Sequence, residues 1–234
     1  MLLLWDIDGT LLQRAALAHK DALFAALHDV LGITDPESLG VDTAGRTDGE
    51  IARLIALRAG VSAERIDAGA RPLRAACCRH YARLCPDDLS AHVAPGVREL
   101  LERLAARDDV CLSLLTGNFE PVARLKLGRA GLGGFFALGQ GAFGSDHESR
   151  AELPAVARAR AGDGEGPWPA ERTVVIGDTP RDIACARADG VHCLAVATGP
   201  YPLEALGDAD AAVADARALA PVLEELLDRV GRAG

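Results

Sequence analysis

The feature that most restricts the fold is the alternation that begins at Pro95-Gly96. From there short apolar runs take turns with stretches of helical spacing. Strands are predicted at Val110 to Leu115, Phe135 to Leu138, Thr173 to Ile176, His192 to Val196 and Ala211 to Val213. Helices are predicted at Val97 to Ala106, Glu120 to Ala130, from about Ala151, at Pro180 to Asp189 and at Leu219 to Val230. Strands separated by helices of this length form βαβ crossovers, and so a parallel α/β sheet with helices on both faces. Leu2 to Ile7, a short apolar run bounded by acids and Gly9, suits one more fully buried strand.

Between that first strand and Pro95 the spacing is helical throughout. Leu23, Leu27, Val30 and Leu31 share one face, then Ile51, Leu54 and Ile55, then Leu73, Cys77, Tyr81 and Leu84. The expected organisation is therefore a Rossmann-like catalytic core from residues 1–14 and 91–234, with residues 15–90 inserted as an all-helical cap domain. A chain of 234 residues is long enough for both.

Composition removes several classes of function. A formal net charge of −9 argues against a nucleic-acid binder, which needs a basic stripe to neutralise phosphates. No run approaches the ~18 apolar residues of a membrane span. Met1 to Trp5 lacks a basic flank and meets Asp6 at once, so it reads as a strand and not as a signal peptide. The six cysteines form no C-x-x-C pair, and are expected to be small hydrophobes in a reducing, cytoplasmic compartment. Of the 25 basic residues only Lys20 and Lys126 are lysines.

Ligands of open parallel sheets bind beyond the carboxyl ends of the strands. Three predicted strands end there in polar clusters: Asp6-Ile7-Asp8-Gly9-Thr10, Thr116-Gly117-Asn118 and Gly177-Asp178-Thr179-Pro180-Arg181-Asp182. Asp6 and Asp8, two apart on an extended segment, face the same side, and a divalent cation relieves their repulsion. With Mg²⁺ present, one carboxylate can stay ionised as a nucleophile while the other shuttles a proton. Gly9 allows the sharp turn that brings amides near a phosphate. Two strand-end acids in an ordinary turn are the plainer alternative. Thr116 can donate its hydroxyl to a phosphoryl oxygen, and the amides of Gly117 and Asn118 can do the same; a simple turn and helix cap accounts for them equally. Thr179, Pro180 and Asp182 match a capped helix start, which leaves Asp178, before the cap, free to face a metal. Gly139-Gln140-Gly141-Ala142-Phe143-Gly144 fits a dinucleotide fingerprint in letters only. No helix opens directly after it, and the acids near the right distance, Asp163 and Glu165, lie in the Gly/Pro-rich stretch from Gly162 to Pro169.

Asp6-x-Asp8-Gly9-Thr10, Thr116-Gly117-Asn118 and Gly177-Asp178-Thr179-x-x-Asp182 stand in the order and spacing of the haloacid dehalogenase superfamily. The chain resembles its phosphoglycolate-phosphatase-like members, which carry a small helical cap. The resemblance implies that Asp6 attacks phosphorus and that Asp8 protonates the leaving alcohol and then activates water. It also implies that Thr116 holds a phosphoryl oxygen, and that Mg²⁺ sits on the Asp6 carboxylate, the Asp8 backbone carbonyl and Asp178. One position departs from the pattern: the lysine that such members often place before a proline is absent at Ser149-Arg150-Ala151-Glu152. Lys126, reaching back along its helix, is the favoured substitute and Arg150 the second. Arg46, in the tip Gly45-Arg46-Thr47-Asp48-Gly49, either pairs with a substrate carboxylate or second phosphate or is a solvated turn residue. His19 and His147 are assigned no role. The acid at Asp8 favours a phosphatase over a dehalogenase, because an alkoxide needs a proton to leave and a halide does not. The expected partner is a small phosphorylated metabolite, with phosphoglycolate the first guess by resemblance. A phosphomutase or a non-catalytic phospho-ligand-binding protein is the alternative.

Overall fold

Six strands run parallel in the order β3-β2-β1-β4-β5-β6, where β1 is Leu2–Trp5, β2 Cys111–Thr116, β3 Ala142–Phe143, β4 Thr173–Gly177, β5 His192–Val196 and β6 Ala211–Val213. This structure, a computed structural model, describes residues 1–162, 164 and 166–232, so Asp163 and Glu165 of the Gly/Pro stretch lie outside the described residues. The first strand of the chain is central: Leu3 pairs with Leu112 on one side and with Val174 on the other. Strand order reverses there, which opens a crevice between the carboxyl ends of β1 and β4.

Helices cover both faces. Five of them, α4 (Val97–Ala105), α5 (Glu120–Arg129), α6 (Leu153–Ala161), α7 (Pro180–Ala188) and α8 (Ala216–Arg232), follow the predicted crossovers. Leu3, Trp5, Leu114 and Ile176 point into one apolar cluster with residues of α4, α5 and α8, whereas Leu2, Leu4 and Val175 point into the other with α6 and α7. Burial on both faces explains why these strands read as unbroken apolar runs. Leu2, Leu3 and Leu4 are wholly buried, and each contributes roughly 1.5–3 kcal/mol on transfer from water.

Among the described residues the segment between β1 and α4 holds helices and turns and adds no strand to the sheet. Its helices are α1 (Leu17–Leu31), α2 (Asp48–Arg58) and α3 (Ala63–Leu84), which lie within the stretch the periodicity marks as helical. Left-handed Gly32 ends α1, the Thr47 side chain caps α2 and Ser62 caps α3. Leu23, Leu27, Ile55, Leu73, Cys77 and Tyr81 join the same apolar cluster as Leu3 and Trp5. An isolated bridge between Leu12 and Val93 ties the chain where it leaves for these helices and where it returns.

One predicted strand is corrected. Phe135 to Leu138 is not extended in the sheet: Gly133–Phe135 is a 3-10 turn, Phe136 is buried and Leu138 is 84% exposed. The Arg124 guanidinium accounts for this, because it donates to the carbonyls of Phe136, Ala137 and Gln140 at 3.0, 3.1 and 2.8 Å and so takes acceptors a ladder would need. The edge strand forms later, at Ala142–Phe143, inside the stretch that imitates a dinucleotide motif.

Candidate active site

Asp6 follows β1 directly, its amide donating to the Ile176 carbonyl at 2.9 Å, and Asp178 follows β4. Both side chains are buried at the mouth of the crevice. Carboxylate oxygens of Asp6, Asp178 and Asp182 lie within 4.8 Å of one another. One Asp178 oxygen accepts from the Thr10 hydroxyl at 3.2 Å, while the other, Oδ2, is buried with no partner. Two glycines make that space. A Cβ on Gly9, whose φ is 87°, would stand 2.1 Å from Oδ2, and one on Gly199 would stand 1.6 Å from it. An orphaned carboxylate oxygen among further carboxylates is satisfied by a hard cation with oxygen ligands, so these residues fit Mg²⁺.

Electrostatics agree. Burial, then the charges of Asp6 and Asp182, push the Asp178 carboxyl up to about 8. Burial also raises Asp6, against the pull of Arg150, to about 6. A carboxyl raised in the fold keeps a proton that the unfolded chain releases near pH 4, so stability falls as pH rises through that interval. Metal-free protein is therefore expected to melt lower at pH 8 than at pH 5, with the decline ending near the raised value of about 8. Millimolar Mg²⁺ should reduce the fall by binding the ionised form. Thermal melts in chelator and in Mg²⁺ check this; equal melting temperatures with and without Mg²⁺ at pH 8 would contradict it.

Asp182 carries two roles at once. Its Oδ2 accepts from the amide and hydroxyl of Thr179 at 2.9 and 2.7 Å, closing a capping box on α7. Its Oδ1 accepts from Arg150 Nη2 at 2.5 Å, and the same nitrogen lies 3.3 Å from Asp6 Oδ1. Burial alone would lower the Arg150 pKa, but Asp182 and then Asp6 outweigh it, and the guanidinium stays charged. Its Nε is buried without a partner.

The lysine goes to the other acid. Lys126, on α5, is fully buried and its Nζ lies 2.8 and 2.6 Å from the two oxygens of Asp8. Asn118 accepts from Lys126 through Oδ1 at 2.8 Å and donates to Asp8 through Nδ2 at 3.0 Å. Burial favours the neutral Asp8 carboxyl, yet Lys126, with a hydrogen bond from Asn118, reverses this and holds it below the ordinary value. The structure thus brings both sequence candidates into the site at different carboxylates, Arg150 at Asp6 and Lys126 at Asp8.

A cavity of about 1030 Å³ opens over Asp6, Asp8 and Asp178, with Arg150, Gly117 and Asn118 in its walls. Thr116 lies beneath that wall, fully buried, its hydroxyl accepting from the Asn118 amide at 3.4 Å. Arg46 reaches the cavity, but its guanidinium pairs with Glu50 and donates to the Asp42 carbonyl at 2.9 Å. The loop around it is fastened to the sheet end. Asp48 N donates to Gly117 O at 2.8 Å, Thr47 Oγ1 to Glu148 O at 2.5 Å, and Arg181 to the Ala44 carbonyl and Asp42 carboxylate at 2.6 and 2.9 Å.

Sequence reasoning missed His19 and Asp48. His19 is buried, with Nδ1 3.1 Å from Lys126 Nζ and Nε2 3.0 Å from Asp48 Oδ2. No motif marks them, since His19 and Lys126 are 107 residues apart. His147 accepts from the Ser149 amide at 3.0 Å.

Comparison with known proteins gives consistent matches. A family model described as haloacid dehalogenase-like hydrolase matches residues 3–187, and a related hydrolase-like model matches residues 151–226. A phosphoglycolate phosphatase of Rhodospirillum rubrum is 32% identical over 210 residues, covering 87% of this chain and 83% of the relative. The beta-phosphoglucomutase of Clostridium difficile superposes with a TM-score of 0.66 at 16% identity, over 98% of this chain and 97% of that one. CbbY of Rhodobacter sphaeroides, solved in complex with phosphate, gives 0.63 at 19% identity over 93% and 95% of the two chains. At those identities the two structures speak for the fold.

Proposed function

The chain belongs to the haloacid dehalogenase-like hydrolase family, and from that premise we propose a Mg²⁺-dependent phosphatase that cleaves a small organic phosphomonoester through an aspartyl-phosphate. One observation carries this reading: Asp6 and Asp8 face one cavity beside the unpartnered oxygen of Asp178.

In this mechanism Asp6 attacks phosphorus while the bond from phosphorus to the leaving oxygen breaks. The proton of a phosphomonoester bound as its monoanion passes through the Asp8 carboxylate to that oxygen, and the alcohol departs. Water then attacks the aspartyl-phosphate, Asp8 takes the water's proton, and Asp6 is released as a carboxylate together with inorganic phosphate. Arg150, held by Asp182, balances charge at Asp6 and at the transferring group. Thr116 shapes the turn that presents Gly117 and Asn118 to a phosphoryl oxygen. Asp6, Asp178 and the Asp8 backbone carbonyl would hold Mg²⁺, which supplies Lewis-acid stabilisation of the phosphoryl charge. Phosphoglycolate is the proposed substrate type, after the name of the relative at 32% identity.

The test is phosphate release from a panel of small phosphomonoesters, phosphoglycolate included, with and without Mg²⁺. Mg²⁺-dependent release is expected. Isomerisation of a sugar phosphate without free phosphate would instead establish a phosphomutase, and no turnover of any ester would leave a phospho-ligand binder.

A further inference from the structure

Lys126 has three N–H bonds and four acceptors around them. Both oxygens of Asp8 lie at 2.8 and 2.6 Å, Asn118 Oδ1 at 2.8 Å and His19 Nδ1 at 3.1 Å. An ammonium only donates, so Nδ1 of His19 accepts and the ring proton sits on Nε2. That nitrogen faces Asp48 Oδ2 at 3.0 Å, and the same oxygen accepts from the Phe119 amide at 2.7 Å. A buried chain therefore runs Asp48–His19–Lys126–Asp8. Its first two members come from α2 and α1, and the Tyr81 ring of α3 lies 5.6 Å from the His19 ring, edge on.

We propose that His19 and Asp48 are positioning residues for proton transfer at Asp8: together they offer Lys126 a second seat, which lets one Asp8 oxygen turn from the lysine to the leaving group. Both oxygens of the cavity-facing Asp8 carboxyl accept from Lys126 and Oδ2 also from Asn118, which leaves no Asp8 oxygen without a donor. Withdrawal of Lys126 toward His19 frees one, and Asp48 supplies the negative charge that makes this seat comparable to the first. The arrangement exists only while α1 and α2 hold His19 and Asp48 beside Lys126 of α5, so these helices set the acid–base geometry as well as the cavity wall.

The inference rests on the phosphatase reading. The experiment compares kcat/KM, which covers the steps to the phosphoenzyme, for an alkyl ester such as phosphoglycolate and for p-nitrophenyl phosphate, whose leaving group needs no proton. His19→Ala and Asp48→Asn are each expected to lower the alkyl value by about tenfold or more and the aryl value by less than about threefold. His19→Gln, which keeps one acceptor and one donor, should recover most of the alkyl loss. Circular dichroism melts of each variant separate loss of fold from loss of positioning. An active wild type whose variants slow both esters by one factor, or neither, overturns the relay. A wild type inert toward both overturns the phosphatase reading and the relay with it.

Discussion

Asp6→Asn is expected to abolish phosphate release, lowering kcat by at least ~10⁴-fold, because the proposed mechanism forms its covalent intermediate on Asp6. Its effect on stability should have the opposite sign. The Asp6 carboxyl is raised because burial and its acidic neighbours outweigh Arg150, so ionised Asp6 is a strained state of the metal-free protein. At pH 8 without metal the variant should melt at or above wild type, and its response to Mg²⁺ should shrink. Parallel assays of turnover and melting decide the point. Residual activity of more than a percent would remove Asp6 as nucleophile, and a variant that melts well below wild type would mean that the Arg150 pairing dominates.

Arg150→Ala carries the largest expected structural effect. The guanidinium is 6% exposed and is the counter-charge nearest Asp6 and Asp182. Removing one partner from such a buried set costs roughly 3–5 kcal/mol. For a chain of this size that corresponds to a fall in Tm of roughly 6–20 °C. Activity should fall with it. Arg150→Lys keeps the charge but lacks the fork that spans two carboxylates, so it should recover part of the stability and less of the rate. A variant as stable as wild type would show that Asp182 finds its partners within the α7 cap alone.

The strands were legible because burial on both faces leaves little but apolar residues between Leu2 and Trp5 or between Thr173 and Gly177. The acids at their ends were legible because a polar cluster at a strand terminus breaks that run. Asp182 could be read as a cap from Thr179 and Pro180, and its second bond to Arg150, across 32 residues, could not. The edge strand was misplaced because Arg124, far from Phe136 in type and pattern, occupies the carbonyls there. Lys126 was noticed only for the rarity of lysine, and nothing in its spacing foretold which acid it meets. His19 lay among helical residues as one polar side chain; its worth depends on Asp48 and Lys126, both distant along the chain.

The central place of β1 bears on the order in which the molecule can be made. Leu2–Trp5 is synthesised before both strands that flank it, and it needs Cys111–Thr116 on one edge and Thr173–Gly177 on the other before its backbone is fully paired. A growing chain can assemble α1 against α3 from local contacts while this apolar strand still waits, which is the situation that slows folding and invites chaperones. Asp6, the proposed nucleophile, thus leaves the ribosome well before Asp178. Its pocket closes only when about three quarters of the chain has followed, and no shortened nascent product holds Asp178 beside Asp6.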